Sequence, residues 1–349
     1  MEKDIHYYAV YYLSKLAKFS DKQSETIAYA SQYVDNSTES DSIHLDNGHT
    51  FDTVRTAHYN LEAFDWNIQK KIYIPFHFIP AITRESGKSF SYVTKPATGK
   101  KQEIITKLVN NAFSEEDENK RLIRIGIALH TLADTFSHFG FSGRHDDENS
   151  VSHIKIKNNG TLSSNLQGIP GMAFKVLAPQ IGHSESYSLP DYPYLKWEYW
   201  SANGKVQRNN SVNTLACLKM LHNALHCAKT GMTFGKTLDV PNVFSRQTTS
   251  LKTLISTNGD TDVRCTAWNK FIGNCNIKKP KPYDKKEWRM KAFKSPLSKL
   301  DWDNLNESAF RYYSKALKPV ASNAFNKTNW ACFHRAAQKQ RNFVLECIN

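Results

Sequence analysis

Leu122 to Asp147 reads LIRIGIALHTLADTFSHFGFSGRHDD, and its reading decides how the rest of the chain is arranged. At helical spacing Ile123, Ile127, His130, Asp134 and His138 fall on one stripe, because steps of three and four residues return to the same face. Leu122, Ile125, Leu129, Leu132 and Phe136 make a neighbouring apolar stripe, so the two imidazoles and the carboxylate border a core. Burying such groups without partners is costly, which leaves a metal, a hydrogen-bond network or a polar cleft. A metal fits best: His and Asp suit zinc, and an i, i+4 pair on one helix face can reach one ion.

The 349 residues, 40% hydrophobic and 12% aromatic, suffice for a large core in one domain or two. No run approaches the roughly 20 apolar residues needed to span a bilayer. The start, MEKDIHYYAVYY, lacks the basic and apolar regions of a signal peptide, so the expectation is a chain cytoplasmic as synthesised, any export being without a cleavable signal. Cys217, Cys227, Cys265, Cys275, Cys332 and Cys347 show no C-x-x-C spacing, which argues against a zinc ribbon and fits reduced thiols or disulfides. Charge is divided unevenly. Residues 201–349 carry 25 Lys and Arg against 9 Asp and Glu, a net of +16, whereas residues 1–200 carry −3. A basic second part suits an anionic partner such as a phospholipid surface or nucleic acid, or is a solvated face without one.

Taken outward from the central stretch, Ile5, Ala9, Tyr12, Leu13 and Leu16 predict a first amphipathic helix with His6 beside its apolar stripe. Ser20 and Gln23 form a capping box for a second helix, which ends at Asp35. A carboxylate there opposes the helix dipole and needs other compensation. Residues 36–52 read as a loop with His44 and His49 exposed; residues 54–72 read as a helix carrying His58. In YIPFHFIPAI, His77 lies between prolines in an apolar run, as a ligand or as a core imidazole. A helix over 102–113 precedes the central one. The turn GFSGRHDDENS offers His145, Asp146 and Asp147, and LAPQIGHSESYSLPDYPYLKWEYW (177–200), broken by prolines, places His183 and Asp191 in a pocket wall. Residues 211–229 form a helix whose His222 and His226 sit on a partly buried face. Further on, KKPKPYDKKEWRMKAFK (278–294) reads as an exposed arm or surface helix. Nucleotide-binding and Ser-triad motifs are absent and strand signals sparse, which leaves metal-assisted chemistry on a mostly helical body.

The order His6, Asp35, His58, then His130 and Asp134 as H-x-x-x-D with His138 behind, and a later His183, resembles the zinc-dependent phospholipase C and S1/P1 nuclease superfamily. More closely, HYYAVYYLSKLA, IAYASQYVD, PFHFIP, LHTLADTFSHFGFSG and IGHSESYSLPDYP resemble blocks of an uncharacterised bacterial family. The resemblance covers roughly the first 200 residues. It implies an all-α, multi-helix bundle with long loops: a metal-binding core over 1–235, with 236–349 left as a basic extension or small helical subdomain. It also implies one to three zinc ions held by His6, Asp35, His58, His130, Asp134, His138 and His183, with His77, Glu185 and Asp191 as further candidates. Asp35 and Asp134 become the catalytic carboxylates, bridging ions or orienting water. The expected activity is phospholipase C-like hydrolysis of phosphoesters in phospholipid headgroups. The alternatives are a nuclease acting on single-stranded nucleic acid and a non-catalytic, metal-stapled interaction or effector protein.

Overall fold

Two capping residues set the frame. Ser20 accepts from the Gln23 N–H and Gln23 returns a bond to the Ser20 N–H, which opens α2 (Asp21–Tyr33) after a first helix, α1 (Val10–Leu16). Asp117 accepts from the Lys120 N–H and opens the helix Glu118–Ser137, whose side chains from Leu122 onward are all buried. A helix buried on every face must be wrapped by others. Around it lie α2, the helix Glu103–Phe113, the helix Asn210–Thr230 and the final helix Asn329–Ile348.

The computed structural model describes residues 1–57, 64–98, 102–158, 161–163, 181–235, 242–294 and 318–349. A π-helical turn, Asp4–Ala9, runs directly into α1. An interrupted helix is built from α3 (Trp66–Ile68), a second π-helical turn (Gln69–Tyr73) and α4 (Ile74–Phe76). Then come α5 (Glu103–Phe113) and α6 (Glu118–Ser137). After the sheet described next, the chain continues with α7 (Asn210–Thr230), α8 (Asn242–Ile255), α9 (Thr261–Asn274) and α10 (Glu287–Ala292) before the final helix. None of the described helices is long and apolar enough to cross a membrane.

The expected all-α class is overturned. Helices dominate, but β1 (Ser42–His44) and β2 (Thr50–Asp52) form a hairpin. In addition β3 (Ser152–Asn158), β4 (Thr161–Ser163), β5 (Lys196–Ser201) and β6 (Gly204–Asn209) make an antiparallel sheet in the order β4-β3-β5-β6, so the architecture is mixed. The aromatic run Trp197–Trp200 and the Ala202–Asn203 turn carry the hairpin β5-β6, in which Ser201 faces Gly204. Residues 54–56, expected in a helix, are instead irregular.

Two apolar cores result. The larger runs from Met1 to Ile348 through the helices, so the basic second part shares it with the first. The smaller packs Ile156, Trp197 and Tyr199 of the sheet against Ile72, Phe78 and Phe141. The chain passes from one to the other at His77, with Phe76 in the first core and Phe78 in the second. Residues 278–294 are not a free arm. Tyr11, Tyr7 and Tyr29 donate their hydroxyls to the carbonyls of Lys278, Lys281 and Asp284 at 2.8, 2.9 and 2.8 Å, and Trp288 stacks on Tyr29 at 4.1 Å.

Two positions test this packing. Gly126 of α6 faces α2 so closely that a Cβ would lie 2.6 Å from Ala30 Cβ and 3.1 Å from the Ser31 nitrogen. Gly126→Ala should cost about 3 kcal/mol by overpacking, read as a fall in melting temperature of roughly 5 °C or more. His334, buried in the final helix, accepts the Val54 N–H on Nδ1 at 2.9 Å, while Nε2 has no hydrogen-bond partner. Burial lowers its pKa from 6.5 to about 3. The unfolded chain therefore takes up this proton first, so the contribution is full above pH 6.5 and is lost as pH falls toward 3. Denaturant titrations should show His334→Gln losing less stability than the parent on acidification from pH 6.5 to 5, by about 2 kcal/mol.

Candidate metal centre

The site lies where the two cores meet, and each side chain in it arrives on a separately anchored element. His6 sits in the π-helical turn Asp4–Ala9, which Arg264 of α9 pins through Asp4 Oδ2 at 3.0 Å. Asp35 follows the end of α2. His77 terminates α4, just beyond the second π-helical turn, so both π segments feed a histidine into the site, a frequent use of such widened turns. His130 and Asp134 lie one turn apart on α6, and His138 is its C-cap. The buried Arg208 guanidinium donates to the carbonyls of Ser137 and Phe139, closing that helix end with a cation. Asn210 donates to Leu189 and Tyr192 carbonyls at 2.7 and 2.9 Å, which holds the turn bearing Asp191.

Asp134, 1% exposed, is the hub. Its Oδ1 lies 2.7 Å from the Met1 α-nitrogen and 3.2 Å from His6 Nε2. Its Oδ2 lies 3.2 Å from His130 Nε2 and from His77 Nδ1, and 3.6 Å from His138 Nδ1. Asp191 is a second hub: Oδ1 is 2.9 Å from the Met1 nitrogen and 3.2 Å from His138 Nε2, and Oδ2 is 3.2 Å from His183 Nε2. Asp35 Oδ1 stands 3.5 Å from His130 Nε2 and 4.0 Å from His77 Nδ1. Three ligand groups follow, each with its donor atoms within 4.8 Å of one another: His6, His130 and Asp134; Asp35, His77 and His130; His138, His183 and Asp191. They could hold metal ions.

The protonation pattern follows from the backbone. His130 Nδ1 is 2.9 Å from the Ser31 carbonyl, His77 Nε2 is 2.8 Å from that of Thr56, His138 Nδ1 is 3.0 Å from that of His77, and His183 Nδ1 is 2.6 Å from that of Tyr187. A carbonyl only accepts, so each of these ring nitrogens carries the proton and the opposite nitrogen turns a lone pair inward. Burial lowers the His138 pKa to about 4 and holds that of His6 well below the ordinary range, so both rings are neutral. Burial works against the charge on Asp134 and Asp191. The neighbouring groups prevail, chiefly the His138 ring with the Met1 amine for Asp134, and the Met1 amine with the His183 ring for Asp191, and keep both pKa values well below normal. Burial likewise opposes the charge on the Met1 amine, yet Asp134 and Asp191 push its pKa up to about 12. Burial raises Asp35 to about 7, with His77 pulling down and Asp134 pushing up.

The chain belongs to DUF6765. This is a family of unknown function, and its model matches residues 1–348, the basic second part included. No curated protein and no solved structure matches the chain.

In this DUF6765 chain His6, Asp35, His130, Asp134, His138 and His183 are brought together with His77 and Asp191. His58 lies outside the described residues. Glu185 is not part of the three ligand groups and accepts from the Val151 N–H at 2.7 Å. His44 and His49 are exposed, and His222 is buried against Phe244 away from the site. The Met1 nitrogen was not foreseen as part of it. Its only sequence signal is nearness to His6, since Arg264 ties both Glu2 and Asp4 down. Equilibrium dialysis against a divalent metal, read by elemental analysis, should show less bound metal in His77→Ala than in the parent. His44→Ala should match the parent.

Proposed function

We propose that the three clusters hold zinc and that the protein is a zinc-dependent hydrolase of phosphoester bonds, of the phospholipase C type. One observation carries the metal reading. His130 Nε2 and His77 Nδ1 face each other at 3.2 Å, and the opposite nitrogen of each ring is committed to a carbonyl. Two buried lone pairs at that distance repel unless a cation lies between or beside them. His6 adds a second sign: both its ring nitrogens are buried without hydrogen bonds among the described residues, though Nε2 is only 3.2 Å from Asp134 Oδ1. Neutral imidazoles mixed with carboxylates are a donor set that suits zinc. Bound there, zinc would supply Lewis acidity toward phosphoryl oxygens and acidify a water.

The chain's own residues divide the remaining work. Asp134 is too buried to meet a substrate; it presents Oδ1 to the His6 side and Oδ2 to the His77 and His130 side, so it is the holding carboxylate. Asp35, one quarter exposed, is the carboxylate that both touches the cluster and faces outward, which suits it to orient the attacking water. His183 and Asp191 are 15% and 12% exposed. The order of ligand residues resembling the phospholipase C and S1/P1 nuclease superfamily supports the same reaction class.

Elemental analysis of the full chain should find zinc in stoichiometric amount. His130→Ala with Asp134→Ala should lose both that zinc and at least about a hundredfold in hydrolysis of phosphatidylcholine headgroups, the scale for losing a Lewis acid. Absence of zinc, or hydrolysis unchanged in the double variant, overturns the proposal. Cleavage of single-stranded oligonucleotides with steep salt dependence, and none of lipid, would make it a nuclease instead. Zinc whose removal unfolds a chain inert toward every phosphoester would make the metal structural.

A further inference from the structure

We infer that the aromatic and basic rim formed by Phe64, Trp66, Lys70, Arg144 and His145 docks the protein on an anionic phospholipid bilayer. The inference names the partner of the site just described and rests on the phospholipase reading of that site.

Phe64 is 61% and Trp66 41% exposed, two residues apart in sequence. Large apolar side chains in that state are unfavourable in water unless something covers them. They are not isolated. Trp66 meets Tyr92 edge-on at 5.8 Å, the Arg144 guanidinium lies 5.0 Å from the Tyr92 ring and 5.9 Å from that of Trp66, and Phe64 contacts the His145 ring at 5.1 Å. Lys70, one turn along from Trp66, has no carboxylate partner among the described residues. Indole and phenyl rings interleaved with cations is the chemistry of the bilayer interface, where rings reach the acyl boundary and cations meet headgroup phosphates. A protein interface would want a flatter apolar centre with charges kept to its edge.

Position argues for the same partner. Two of the rim residues, Arg144 and His145, lie on the loop that follows α6 and its cap His138, and His145 pairs as a bridge with Ile181, two residues before His183. The Gly182 N–H donates to the Ser142 carbonyl at 2.9 Å, which fastens this loop to the segment carrying His183. A surface resting on Arg144 and His145 therefore lies next to the segment that carries His183, one of the partly exposed ligands of the cluster.

The test is sedimentation of the full chain with phosphatidylcholine vesicles doped with phosphatidylserine. Alongside it, hydrolysis of the water-soluble bis(p-nitrophenyl) phosphate is measured. Phe64→Ser with Trp66→Ser should lower vesicle partitioning roughly tenfold and leave hydrolysis of the soluble ester unchanged. Trp66→Phe should keep most of the partitioning. A parent that ignores vesicles, a double variant that sediments as well as the parent, or a parent dimer that the double variant converts to monomer would each overturn the inference. Soluble hydrolysis with indifference to vesicles sinks the rim alone. Rim-dependent vesicle binding without hydrolysis of any phosphoester sinks the reading of the site and leaves the docking surface standing.

Discussion

A carboxylate removed from water keeps its charge only if the protein surrounds it with compensating groups, and Asp134 imposes that demand on the centre of this molecule. Its two oxygens take in the Met1 nitrogen, His6, His77, His130 and His138. Those groups come from the first turn, from the hinge between the two cores and from the end of α6. The packing of α2 against α6 is thus tied to more than apolar burial. The Ser31 carbonyl that orients His130 lies on α2, and Gly126 sits where the two helices come closest. A displacement of α2 would rotate an imidazole as well as open a gap.

The same dependence explains why His77, His130, His138 and His183 are each anchored to main chain on the outer side. A side chain partner could rotate away, whereas a carbonyl within a helix end or a packed turn is fixed by its own backbone. Tyr187 shows how far this goes: its φ of 55° and ψ of −140° are unusual for a residue with a side chain, and its carbonyl is the one that holds His183. The strain sits at the ligand with the most solvent access in its cluster.

How much of this the sequence discloses depends on the range of the interactions involved. The capping box of α2 and the stripe of His130, Asp134 and His138 are set within a few residues, so periodicity and cap chemistry suffice to read them. The sheet was not read that way. Glu198 and Lys196 interrupt an otherwise aromatic strand, and β3 pairs with β5 across a gap of about forty residues, so its register depends on tertiary contacts. His77 could be seen only as one of two possibilities, because its role rests on meeting His130 and Asp134, 53 and 57 residues away. Asp191 owes its place to Asn210, a residue whose local sequence gives no hint of that duty.

The strap over residues 278–294 has a different kind of consequence. Tyrosine hydroxyls grip it by its carbonyls, a feature every residue type shares, and Trp288, Arg289, Ala292 and Phe293 are among the side chains it commits to the interior. Lys278, Lys279, Lys281 and Lys291 meanwhile stay in solvent. Fold and surface charge are therefore uncoupled along this stretch. The lysines can be exchanged for neutral or acidic residues with little change in how the strap is held, so the electrostatic character of that side of the molecule is adjustable independently of the architecture beneath it.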